Sequence, residues 1–228
     1  MNNYIYIHVC CINNYEKIFN KLLHKIKDSG LYDEIKEIRC CVLGEYNVKL
    51  FNDPKIIIRN KSENVKLYEV FTINTLYEDA QKEDFNVLYL HTKGVSKAEN
   101  KNISSWTSYM CYFNIYKYKE CLEILKNNDT VGVNLQDLPG QKCHYSGNFW
   151  WSKTDYIRKL SKCIYYNYNA PEFWITENKI GNYVSLWHSK WRHYNKIYPK
   201  KKYIGKKIKP HKLFEYKIYG VIIYNNGT

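Results

Sequence analysis

His91-Thr92-Lys93-Gly94 stands directly behind the apolar run Val87-Leu88-Tyr89-Leu90. A run of that length reads as a buried strand. Polar, charged and glycine residues at a strand's end are where open α/β sheets keep their ligand chemistry. Residues 144–151, His-Tyr-Ser-Gly-Asn-Phe-Trp-Trp, set a small polar turn among aromatic rings. A sugar-binding cleft uses that mixture, stacking C–H faces on rings while hydroxyls hydrogen-bond to side chains. Residues 170–177 place two carboxylates, Glu172 and Glu177, around Trp174. Each stretch also has a plainer reading. The first is a strand with a solvated turn, the second an aromatic core strand, and Glu172 a first-turn acid that favours a helix dipole.

The elements that must position these residues follow from periodicity. Residues 4–11 are β-branched and aromatic and read as a first strand, broken by Asn13-Asn14. From Tyr15, apolar residues at 18, 19, 22, 23 and 26 have helical spacing, and Ser29-Gly30 closes that helix. Residues 35–43 form a second strand ending at Gly44-Glu45, so a strand-helix-strand unit begins the chain and predicts an α/β sheet. Residues 55–59 give a third strand and 65–82 an amphipathic helix, which leads into the strand before His91. Ser104 or Ser105 caps a helix from Trp106 to about 119, and the helical pattern continues over 119–125. A strand at 130–135 and helices at 154–160 and about 173–183 follow, with 214–224 as a last strand or helix that pins the tail.

The chain of 228 residues suits one domain with a tail, 1–187 and 188–228. Its 24 Tyr, 6 Trp and 8 Phe are a heavy aromatic load. Between Ser189 and Lys217 there are eleven Lys or Arg and one acid, so +10 of the formal +13 lies in that segment. The eight cysteines have no C-x-x-C spacing and read as reduced thiols. No apolar run reaches the roughly 18 residues of a membrane span, and the N-terminus lacks a signal-type segment. A soluble cytoplasmic chain is expected, in the host cytoplasm for a viral one.

The stretches at 89–96, 131–134, 144–151 and 171–177, with the helix carrying Trp106 and Met110, together resemble a group of GT-A-type glycosyltransferases found in large DNA viruses and bacteria. They are similar, more distantly, to the first domain of the chlorovirus rhamnosyltransferase. The likeness runs over residues 4–187. It implies a single Rossmann-like GT-A domain with a central, mostly parallel sheet flanked by helices. The implied activity is transfer of a sugar from a nucleotide-sugar donor, UDP-linked by expectation, to a glycan or glycoconjugate, with inversion. Most of that superfamily holds Mn²⁺ or Mg²⁺ with an Asp-any-Asp turn, where this chain has His91-Thr92-Lys93. Lysine and imidazole do not suit a hard cation, so no metal ligand is assigned. Lys93, helped by His188, Lys190 or Arg192, would instead stabilise the departing diphosphate.

The resemblance therefore places the donor on His8, Val9, Cys10, Gly44, Glu45, His91, Thr92, Lys93, Gly94, His188 and Lys190. The acceptor falls to His144, Ser146, Gly147, Asn148, Trp150 and Trp174, and the general base is Glu172, then Glu177, then Asp155. Two readings compete: a nucleic-acid binder using the Lys/Tyr-rich tail, and an inactive glycan-binding domain. The enzyme reading expects no nucleic-acid partner and leaves open a weak contact of the tail with anionic membrane. Neither reading fixes an oligomeric state.

Overall fold

Residues 4–9 are buried without interruption. Alternate side chains of that strand enter two different cores: Ile5, Ile7 and Val9 one, Tyr4 and Tyr6 the other. A strand covered on both faces is apolar throughout, as expected for the centre of a helix-sheet-helix arrangement. The computed structural model describes residues 1–97, 99–138, 140–164 and 167–212.

The chain runs through β1 (Asn2–Cys10), α1 (Tyr15–Asp28), α2 (Leu31–Glu34), β2 (Glu37–Leu43), β3 (Ile56–Ser62), α3 (Val70–Ala80) and β4 (Phe85–His91). Next come α4 (Lys101–Cys111), a π-helical turn (Tyr112–Tyr116), α5 (Tyr118–Leu125), β5 (Thr130–Gly132), β6 (Leu135–Gln136) and β7 (His144–Tyr145). It continues with β8 (Trp150–Lys153), α6 (Thr154–Ile157), α7 (Ala170–Trp174), β9 (Tyr183–Ser185) and β10 (His211–Lys212). Eight strands make one sheet in the order β10-β9-β5-β8-β4-β1-β2-β3, with β6 and β7 paired separately. Six of the eight strands run the same way, and β8 and β10 run against them. The fold is therefore α/β, a mostly parallel sheet flanked by helices, and the C-terminal ends of β1, β2 and β4 share one edge. The core on one sheet face takes residues of α1, α4 and α5, and the core on the other takes α3 and α6.

Several elements differ from the periodicity reading. Helix α4 starts at Lys101, ahead of Trp106, because Asn100 caps it by accepting from the amides of Asn102 at 2.9 Å and Ile103 at 3.1 Å. Ser104 and Ser105 lie inside the helix. The helix expected at about 173–183 stops at Trp174; Asn178 takes a left-handed φ of 57° and Tyr183 belongs to β9. Residues 130–135 break at Asn134 (φ 50°), and the predicted 65–82 helix begins only at Val70, after a 3-10 turn over Val65–Leu67. The expected last element at 214–224 lies outside the described residues. Residues 188–212 share the core of the rest: Tyr198 and Tyr203 are buried against Tyr109, and β10 pairs with β9. No disulfide joins any of the eight cysteines, all of which lie among the described residues. Among the described residues, no helix is long and apolar enough to cross a membrane.

Candidate active site

Strand β8 begins with Trp150 opposite Tyr89, which brings the turn before it over the end of β4. That turn needs Gly147 at φ +95°, where an added Cβ would collide with the Met110 sulfur and come within 3.0 Å of Trp106. The Gly147 carbonyl accepts from His91 Nε2 at 3.0 Å. A carbonyl only accepts, so the imidazole hydrogen sits on Nε2 and the Nδ1 lone pair is free. Asn148, buried at φ 58°, donates to Glu69 Oε2 at 2.9 Å and accepts from the Trp150 indole at 2.8 Å. Tyr89 donates to the same Glu69 oxygen at 2.8 Å. Glu69 is thus fixed through Oε2, while its Oε1 faces His91 Nδ1 at 3.5 Å. Burial pushes the His91 pKa down to about 3, with Lys93 adding to the effect, so this contact is not an ion pair at neutral pH.

Lys93 follows immediately. Its ammonium stands 4.1 Å from the centre of the Trp106 ring, and among the described residues it makes no hydrogen bond or ion pair. Burial lowers its pKa, while Glu172 and then Glu69 act in the opposite sense. Glu172, half-buried at the start of α7, also has no hydrogen-bonded partner for its carboxylate among the described residues. Burial raises its pKa; Lys93 opposes that rise and Glu69 adds to it. An ammonium and two carboxylates are therefore held within electrostatic reach of each other, and two of the three are unpaired.

The tail completes the wall. His193 stacks on Trp106, with centroids 5.4 Å apart, and Tyr194 meets the same ring edge-on. Asn134 Oδ1 accepts from Ser189 N at 2.8 Å, so its amide must donate to His193 Nε2 at 3.2 Å. That puts the His193 hydrogen on Nδ1, which is buried and has no partner among the described residues. Burial, with Lys93 adding, pushes the His193 pKa down to about 4. Tyr168, 65% exposed, stands in the field of both Glu69 and Glu172.

The sequence-assigned residues divide sharply. His91, Lys93, Gly147, Asn148 and Glu172 meet at this place. His8 lies under it, buried with Nδ1 2.8 Å from Thr72 Oγ1, its pKa pushed down to about 4 by burial. Thr92 is a brace, its hydroxyl accepting from Cys10 N at 3.1 Å. Gly94 (φ +96°) admits Ile103 close to its backbone. Val9 has no exposed surface and cannot touch a donor through its side chain. Cys10 is half-buried, and Glu45 is exposed beyond Gly44. Trp150 and Trp174 are core residues: Trp150 stacks on Tyr89 at 4.8 Å, and Trp174 donates to the Ser161 carbonyl. Neither offers a ring to a sugar. Ser146 is half-buried, and His144 packs edge-on against Phe173.

Asp155 follows the end of β8 opposite Asn86, the far edge of the sheet, and pairs with Arg158 at 2.9 Å. It is too remote to act as a base here. Glu177 stands in a 3-10 turn beyond α7, and the carboxylates that act on Lys93 are Glu172 and Glu69. His188 and His211 lie against each other at 5.6 Å and Lys190 is exposed; the tail residue that reaches Lys93 is His193. Sequence reasoning missed Glu69, Trp106 as a contact of Lys93, Tyr168, His193 and Tyr194. Among the described residues no three His, Cys, Asp or Glu side chains converge as a metal ion would need, and Lys93 lies in the field of the two carboxylates.

A family model described as a domain of unknown function, DUF8361, matches residues 43–207. No curated protein matches the chain. Among solved structures it is similar to 4-diphosphocytidyl-2C-methyl-D-erythritol synthase, at 11% identity and a TM-score of 0.38, over 69% of this chain and 78% of that one.

Proposed function

We propose that this chain, which belongs to the DUF8361 family, transfers a sugar from a nucleotide-sugar to a hydroxyl acceptor without a resident metal ion. The supporting observation is the pair Lys93 and Glu172, opposite in charge, half-buried and each without a bonded partner among the described residues. Unpaired charge held away from water is costly, and such groups concentrate where a ligand supplies the missing partner. The GT-A resemblance of the motifs agrees with the position of Lys93 just beyond the C-terminal end of β4.

In this scheme Glu172 takes the proton of the acceptor hydroxyl, whose oxygen attacks the anomeric carbon. The bond from that carbon to the diphosphate oxygen breaks, and the electron pair leaves with the nucleoside diphosphate. Lys93 meets the charge that develops on it. A carboxylate with a raised pKa is a stronger base once ionised, which suits Glu172 to its step. Glu69 Oε1 is the remaining polar group placed to hydrogen-bond a sugar. Transfer with no metal requirement follows from a lysine in place of an acidic pair.

The test is a thermal-shift panel of nucleotide-sugars with and without Mn²⁺, followed by transfer assays on the donor that binds. Ligand binding to the folded state raises the melting temperature by mass action. One donor class should raise it equally in both conditions. Activity abolished by chelation and restored by Mn²⁺ would overturn the metal-free scheme.

A further inference from the structure

A concavity opens on the α1 side of Lys93. A groove of about 570 Å³ runs between α1 and α4 and is closed on one side by residues 197–203. Lys17, Lys21 and Lys25 stand on its α1 side, four residues apart and hence on one helix face at steps of about 6 Å. Lys101, Ser104 and Ser108 stand on the α4 side, and Lys93 and Gly94 at its head. Seven lysines line the groove and one acid, Glu99, whose carboxylate pairs with Lys17 at 2.6 Å. Among the described residues, the side chains of Lys21, Lys25, Lys101 and Lys200 have no ion pair or hydrogen bond, and the hydroxyls of Ser104 and Ser108 have none. Ser105, by contrast, is bonded to the backbone of Tyr198 in both directions, which fixes the tail as the groove's wall.

The floor is apolar: Ile18, Leu22 and Ile103 lie at its base, and Ile197, 53% exposed, overhangs it. A bare polyanion would satisfy the lysines and leave that surface wet. A single-stranded nucleic acid would need aromatic faces on which to stack bases. The tyrosines here, Tyr198 and Tyr203, are only 4% and 1% exposed and their rings are packed together. Lysine ammonium groups without any arginine suit phosphate oxygens as point charges, in place of the planar fork that fits a carboxylate. The volume is that of an organic ligand.

We propose that this groove binds an amphiphilic phosphate, with a phosphate or diphosphate head on the lysines and an apolar chain along Ile18 and Ile197. Its role in carrying an acceptor hydroxyl to the Lys93 end rests on the transfer reading; the binding does not.

The test is calorimetric titration of the full chain with farnesyl diphosphate, inorganic pyrophosphate and oligothymidylate, with a nucleotide-sugar titration on the same sample. Farnesyl diphosphate should bind roughly tenfold or more tightly than pyrophosphate, since burial of an apolar chain adds at least about 1.4 kcal/mol. The double variant Lys21→Glu, Lys25→Glu should weaken it at least roughly tenfold. Lys101→Glu, on the opposite wall, is the second reporter if the double variant does not fold. Equal binding of pyrophosphate, preference for oligothymidylate, or charge-reversal variants that bind as before would each overturn the proposal. Failure of the nucleotide-sugar titration alone would overturn the transfer reading and leave this one standing.

Discussion

Two places in the molecule hold ionisable side chains out of water. Between β2 and α3, Arg39 meets Glu83 at 2.6 Å, Glu37 at 2.8 Å and the Tyr6 hydroxyl at 2.9 Å, and its guanidinium lies 4.0 Å from the Tyr4 ring centre. Asp79 there accepts from Tyr6 at 2.7 Å and from both ends of the Arg59 guanidinium at 2.6 and 2.7 Å. Every charge in that cluster is matched, and Asp79 is held below the usual carboxylate range although burial alone would raise it. At the ends of β4 and α7 the reverse holds: Lys93 and Glu172 have no bonded partners among the described residues, and burial drives both pKa values toward the neutral forms. A network that is complete stabilises the fold; one that is incomplete is ready for a ligand.

Substitution should separate the two. Glu172→Gln should lower the transfer rate by about 10²–10⁴-fold and leave the melting temperature unchanged or slightly higher, because an isosteric neutral amide is easier to bury. Full transfer by this variant would remove Glu172 from the chemistry. Asp79→Ala should do the opposite, destabilising by roughly 1–3 kcal/mol because Arg59 loses its carboxylate and the buried Tyr6 hydroxyl its acceptor. Urea unfolding measures that loss, and the fraction still folded should transfer normally. Lys93→Ala comes next, with kcat down by about 10²–10³-fold and donor affinity reduced in the same titrations. Normal donor binding by this variant would end the idea that Lys93 stands in for a metal.

The paired cluster and the unpaired one were unequally visible in the sequence. Val87 to Leu90 and the polar residues after them announce β4 and its ligand end, because burial on both faces demands an unbroken apolar run. Glu172 was found through its neighbours. Glu69, Tyr168, His193 and Tyr194 were not, since they reach the surroundings of Lys93 and Glu172 only through the crossing of α3, the segment before α7 and the tail. The one available signal was Glu69 immediately before an apolar helical face. Trp150 and Trp174 misled for a related reason: aromatic residues beside Ser-Gly-Asn look the same whether the turn exposes them or, as here, a left-handed Asn148 folds them into the core. The Asn100 cap was obscured because the residues before Trp106 carry no apolar period, whereas serines nearer the tryptophan satisfied the same preference.

The finest distinction concerns Glu69, whose charge is felt by both unpaired groups. It raises the Glu172 pKa and also raises that of Lys93. The proposed transfer requires Glu172 ionised, which sets the acid limb of the rate profile above the ordinary carboxylate range. It requires Lys93 protonated, which sets the basic limb below the ordinary lysine range. Glu69→Gln removes the negative charge, so Glu172 ionises at lower pH and Lys93 loses its proton at lower pH. Both limbs should therefore move toward acid together, by less than about one pH unit, since a unit corresponds to about 1.4 kcal/mol. The width of the profile should change little. A loss of Asp79 offers no such displacement, because its carboxylate acts on Arg39, Arg59 and Tyr6 instead. Measuring kcat/KM against pH for the two variants compares the clusters directly. Limbs that move apart, or a profile unchanged in Glu69→Gln, would show that Glu69 is a bracket for Tyr89 and Asn148 and no part of the electrostatics of transfer.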